Sequence, residues 1–114
     1  MYEVDVYWEE ELMCEIVVSN KTVFFKNHEC SAPKILYPFG IREHATYENL
    51  MEFYESRCFP KERENCKELL KLLGVDTYEP ELICRKTHGT QWDDFIWLQF
   101  SDEDKVSYKD IRLR

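Results

Sequence analysis

The sequence predicts an α+β domain with a mainly antiparallel sheet, and three observations lead there. Residues 2–8 alternate strictly between apolar and polar side chains, the period of a half-buried strand. Cys66, Leu69, Leu70 and Leu73 recur at helical spacing. The period changes near Thr46 and again near Gly89, giving three strands, three helices and then strands.

Within the first run, Tyr2, Val4, Val6 and Trp8 share one face, and Glu3, Asp5 and Tyr7 the other. Glu9, Glu10 and Glu11 form an acidic turn, and a second strand follows over Leu12–Ser19. Asn20-Lys21 predicts a tight turn into a third strand, Thr22–Lys26. Links this short make an antiparallel meander. Residues 27–45, with Pro33, Pro38 and Gly40, read as a long irregular connection. In a small domain such a connection is often functional or conceals a short element.

Thr46 suits the N-cap of a helix over Tyr47–Arg57, with Glu48 in its first turn and Leu50, Phe53 and Tyr54 facing inward. A second helix is expected from about Lys61, just after Pro60, to Leu73, ending on Gly74. A third begins with Pro80 at N1, turns Leu82 and Ile83 inward, and stops at Gly89. His88 would meet the negative end of its dipole. Phe95–Phe100 is apolar on both faces, which predicts a strand covered on both sides and a buried Trp97. Val106–Leu113 is expected to return as a short strand or turn.

A chain of 114 residues holds one domain, 1–114, and 44% apolar with 15% aromatic residues supplies a core for it. No apolar run approaches the roughly 20 residues a membrane-spanning helix needs. The first residues are neither basic nor continuously apolar, so no secretory signal is read and a cytoplasmic protein is expected. Five cysteines, odd in number and widely spaced, predict reduced thiols packed as small apolar groups.

The net charge of −8 is unevenly placed. Residues 1–20 carry −6 and residues 90–104 carry −5, with no base in either, while 21–89 are neutral. Clustered acids disfavour direct nucleic-acid binding, which needs clustered Lys and Arg. They suit a protein partner with a basic surface, or simply a solvated exterior.

No chemistry-bearing pattern stands out. Gly40, Gly74 and Gly89 are too far apart for a phosphate-cradling loop. His28-x-Cys30 is half a metal site at best, and Cys58 and Cys66 lie too far apart to be its other half. Asp93 and Asp94 are adjacent, and adjacent strand residues point to opposite faces, so they would not share an acid–base site. No catalytic residue, metal or cofactor is therefore expected. The candidate partner-binding residues are Glu9, Glu10, Glu11, Asp93 and Asp94, with Trp92 as an aromatic anchor beside them. Tyr7 and Trp8 flank the acids in the same way.

One stretch carries a family likeness. Arg57, Cys58, Pro60, Arg63 and Asn65 precede Leu73-Gly74. Tyr78, Pro80 and Lys86-Thr87-His88-Gly89 follow, and then Asp93-Asp94-Phe95, Trp97, Tyr108, Asp110 and Ile111. This pattern, over about 57–111, resembles a short region associated with HipA-like kinases of Gram-positive bacteria. The 114 residues contain no kinase domain, so the resemblance implies a non-enzymatic, antitoxin-like accessory piece that docks on such a kinase. The competing expectation, from charge, is an acidic inhibitor encoded by a mobile element. It would act as an anti-CRISPR or anti-restriction protein that blocks a nucleic-acid-binding effector, with DNA mimicry as one route. A small enzyme with an unrecognised site ranks third.

Overall fold

In the computed structural model, which describes residues 1–91 and 94–112, the N-terminal alternation becomes the meander it predicts. Strands β1 (Tyr2–Trp8), β2 (Glu11–Ser19) and β3 (Thr22–Asn27) pair antiparallel. Trp8 faces Glu11 across a two-residue turn of Glu9 and Glu10. Asn20 and Lys21 form the second turn, with φ of 49° and 60°. Both central residues at positive φ match the right-handed twist of a hairpin. Met13 is an extra residue between the registers Val6–Cys14 and Tyr7–Leu12, a bulge that buries its side chain completely.

Three helices follow: α1 (Tyr47–Ser56), α2 (Cys66–Leu73) and α3 (Pro80–Thr87). Thr46 caps α1 as expected, its hydroxyl accepting from the Asn49 N–H while the Asn49 side chain accepts from the Thr46 N–H. Leu50, Phe53 and Tyr54 are its buried side chains. The second helix is shorter than the sequence suggests. Residues 61–65 are exposed and contain no apolar side chain to bury, so they form successive turns instead. Gly74 ends α2 at φ 75°. In α3 it is Ile83 and Cys84 that turn inward, while Leu82 is exposed. The small thiol fits between α1 and α3 where a leucine would crowd them.

Strand β4 (Ile96–Phe100) pairs antiparallel with β1, giving one sheet of order β3-β2-β1-β4. Val4, Val6, Cys14, Ile16, Val18, Leu98 and Phe100 line its inner face beneath α1 and α3. The connection 27–45 contains one 3-10 turn, Lys34–Leu36, and sends Tyr37 and Phe39 into that core. A second cluster of Leu70, Val75 and Ile83 holds α2 against α3.

Two expectations fail at the C-terminal end. Phe95 lies outside β4 and is exposed. Residues 108–112 form a short helix, α4 (Tyr108–Arg112), where a strand or turn was expected; Leu113 lies outside the described residues. Ser107 and Asp110 explain the helix. The Ser107 N–H donates to Asp110 Oδ2 (3.1 Å), and Ser107 Oγ accepts from the Asp110 N–H (3.4 Å), a reciprocal N-terminal cap. Gln99 ties this segment to the outer face of the sheet, donating to the Asp104 carbonyl and accepting from the Val106 N–H. Among the described residues no helix is long and apolar enough to cross a membrane.

Candidate functional site at the acidic end of the sheet

Pairing of β1 with β4 brings the two acidic segments together. The Glu9 N–H donates to the Phe95 carbonyl (3.0 Å), so the Glu9–Glu10 turn abuts the start of β4. Trp97, inside β4, donates its indole N–H to the Glu9 carbonyl (2.6 Å). Glu9 sits at φ 53°, a strained position for a residue with a Cβ, and these two bonds hold it there. Both turn glutamates are exposed, as is Glu11, whose Oε2 accepts from the Ser31 N–H (3.1 Å). That bond draws the connection 27–45 to the same end.

Exposed apolar groups lie near this end of the sheet. Phe95 is 48% exposed and packs edge-on against Trp8 at 5.4 Å between ring centres. Ile35 is 84% exposed, with Leu36 beside it. A cleft of about 430 Å³ runs from Ile35 and Leu36 past Phe53 on α1 to Asp94 and Ile96. Carboxylates around exposed aromatic and aliphatic side chains are the makings of an interface with a polar rim.

Of the predicted partner residues, Glu9, Glu10 and Glu11 therefore meet at one end of the sheet. Trp92 and Asp93 lie outside the described residues. Asp94 is placed near the others, but its carboxylate is engaged internally. Arg57 Nη1 and Nη2 donate to its two oxygens at 2.7 and 2.8 Å, and the Arg57 side chain is only 6% exposed. Burial works against charge on Asp94, yet the paired hydrogen bonds and positive charge of Arg57 prevail and hold its carboxyl below the usual range.

This ion pair belongs to a set of groups that closes the free edge of β4. The Ile96 N–H donates to Asp94 Oδ1 (3.1 Å), and the Ile96 carbonyl accepts from Arg57 Nη2 (3.3 Å). The Leu98 N–H donates to the His88 carbonyl (2.7 Å). The Leu98 carbonyl accepts from His88 Nδ1 (3.0 Å), so that nitrogen carries the ring proton. His88 thus stands at the end of α3, as expected, and also bonds β4. It caps α3 at φ 57° and is buried against β4. Gly89 follows at φ 61°, and a Cβ there would lie 2.8 Å from Leu98 Cδ1. Its carbonyl accepts from Arg57 Nε (2.8 Å). Sequence reasoning placed His88 at the end of α3 but missed its bonds to β4 and the role of Arg57. Gly89 as the stop of α3 was visible, but the distant strand it closes was not.

The remaining titratable groups form two further clusters. On the outer face Asp5 lies directly across from Glu15, with Glu3 two residues along. Burial, then Glu15 and Glu3, push the Asp5 carboxyl above its ordinary value. His28 Nε2 sits 2.8 Å from Glu15 Oε2, while Cys30 meets the Tyr37 hydroxyl, so the two ends of His28-x-Cys30 diverge. Among the described residues no three His, Cys, Asp or Glu side chains gather as a metal site. All five cysteines are free thiols. Cys58 and Cys84 lie 3.9 Å apart, and both thiols donate to the Tyr54 carbonyl. The hydrogen bond with Cys58, then burial, pushes the Cys84 thiol far up.

No protein family, no curated protein and no solved structure matches this chain.

Proposed function

We propose that the chain is a non-enzymatic protein-binding module that docks through the acidic end of its sheet. The observation that carries this reading is that exposed Glu9, Glu10 and Glu11 lie beside exposed Phe95, whose neighbours Asp94 and Ile96 line a cleft with Ile35 and Leu36. Such a surface complements a partner presenting basic residues around an apolar projection. The partner we favour is a HipA-like kinase of a bacterial cytoplasm, to which the module would be an antitoxin-like accessory. The likeness over 57–111 supports that choice, and no catalytic constellation is needed for it.

A second reading is an acidic inhibitor from a mobile element, occupying the nucleic-acid groove of an anti-CRISPR or anti-restriction target. The carboxylates of Glu3, Asp5 and Glu15, spaced along paired strands, favour it. One experiment separates the two. The tagged protein and its Phe95→Ser/Ile35→Ser variant are each co-expressed with the HipA-like kinase and purified. The wild type is expected to retain the kinase and the variant to lose it at similar melting temperature. Equal recovery, or none, would remove the kinase reading. Capture instead of a nuclease-type effector, released by duplex DNA, would establish the inhibitor.

A further inference from the structure

The two edges of the sheet are treated oppositely. Asp94, Arg57 and His88 occupy the outward backbone groups of β4. At the other edge, β3 has no such cover. The His28 N–H donates to the Met13 carbonyl, and the register alternates from there, so His28, Lys26, Phe24 and Thr22 bond to β2. Val23, Phe25 and Asn27 accordingly aim their N–H and C=O groups away from the sheet. Among the described residues none of these groups meets another segment. A bare edge is a template for another strand.

We propose that this edge pairs with β3 of a second copy, antiparallel about a twofold axis through Phe25, to make one continuous eight-stranded sheet. The sequence of the strand selects both the occupant and the register. With Phe25 opposite its own copy, Val23 faces Asn27 of the second copy, and the outward backbone groups of all three are satisfied. On the outer face Phe24, 62% exposed, then falls across from Lys26 of the second copy, and the reciprocal pair forms as well. Directly opposed residues lie about 4.5–5.5 Å apart, within reach of a cation–π contact. Shifting the register by two residues in one direction opposes Lys26 to Lys26, which is repulsive. Shifting it the other way leaves the Asn27 backbone groups unpaired.

Charge also favours a second copy at this edge. Residues 20–27 hold Lys21 and Lys26 and no acid, in a chain of net −8. Two copies meeting here keep their acidic strands β1 and β2 apart. This surface is distinct from the acidic end of the sheet, so the inference stands or falls independently of the proposed partner.

Sedimentation equilibrium of the full chain across micromolar to millimolar concentration tests it. Substitutions at Phe24 leave the core untouched. Phe24→Glu should preserve self-association, because Glu would face Lys26 of the second copy. Phe24→Lys should weaken it by about tenfold or more, since two like-charged pairs would form. The expected mass is twice 13.9 kDa for wild type and Phe24→Glu, and 13.9 kDa for Phe24→Lys. Circular dichroism melts confirm that both variants are folded. Amide exchange at Val23, Phe25 and Asn27 should slow as concentration rises. A wild type that stays at 13.9 kDa throughout overturns the proposal, as do two Phe24 variants that behave alike.

Discussion

Arg57 joins the end of α1 to the turn after α3 and to the start of β4. Its guanidinium reaches the Gly89 carbonyl, the Ile96 carbonyl and both oxygens of Asp94. Nothing local in the sequence marks it, because every partner lies at least 32 residues away. What was legible was the apolar set of α1 and the alternation of β1, both decided by neighbours in the chain. The role of Asp94 was not legible for the same reason: a carboxylate in an acidic run reads as solvated until its counter-ion is located. The pair makes a pH-dependent contribution whose sign is fixed. The folded Asp94 carboxyl titrates below the roughly 3.9 of an unfolded chain, so its stabilisation is complete above that value and disappears as pH falls through the lower folded pKa. Asp94→Asn should therefore lose about 2 kcal/mol or more at pH 7, with Arg57 left buried and uncompensated. At a pH below the folded pKa the variant and wild type should converge. Urea unfolding at both pH values measures this, and equal stability at pH 7 would mean that the ion pair contributes nothing net.

Among the elements, the ones with strong local chemistry were readable and the ones ruled by packing were not. Thr46 announced α1, and Pro80 announced α3, through groups that act within one turn. The residues 61–65 carried good helix formers, but without a face to bury they stayed in turns. Ser107 and Asp110 form a capping pair that outweighed the β-like apolar spacing of Val106–Leu113. Trp97 is buried as expected, yet it lies on the outer face, stacked on Tyr7 at 4.4 Å, rather than in the helix-covered core. The Asn20-Lys21 turn was read correctly, and its energetics suggest an improvement. Lys21 sits at φ 60°, a conformation that costs an L-residue roughly 1–2 kcal/mol. Glycine adopts it freely, but its looser unfolded chain takes back part of the gain. Lys21→Gly should thus raise stability by about 0.5–1 kcal/mol. A denaturation midpoint that falls instead would show that the Lys21 side chain contributes a contact the backbone argument omits.

At the scale of the molecule, the deciding fact is that β4 pairs with β1 and not with β3. Periodicity says which residues share a face of one strand; it is silent on which strands are neighbours. Given that order, the exposed Glu9–Glu10 turn lies against the start of β4, so the carboxylates of Glu9, Glu10 and Glu11 gather at one end of the sheet. A concentrated negative field of this kind raises the encounter rate with a basic partner, chiefly at low salt. Charge reversal at Glu9, Glu10 and Glu11 to Lys should remove that steering while leaving the fold in place. The side chains are exposed, and of these carboxylates only that of Glu11 meets a described neighbour, the Ser31 N–H. Asp94 must be left alone, because reversing it would break the Arg57 pair and confound association with unfolding. Association with the partner recovered by co-purification should be at least about tenfold slower for the triple variant at low ionic strength. The difference should contract near 0.15 M salt, where screening acts over about 8 Å. Stopped-flow rates at two salt concentrations, with a melting curve for each protein, make the comparison. Equal low-salt rates for two folded proteins would show that these acids solvate the domain without steering anything toward it.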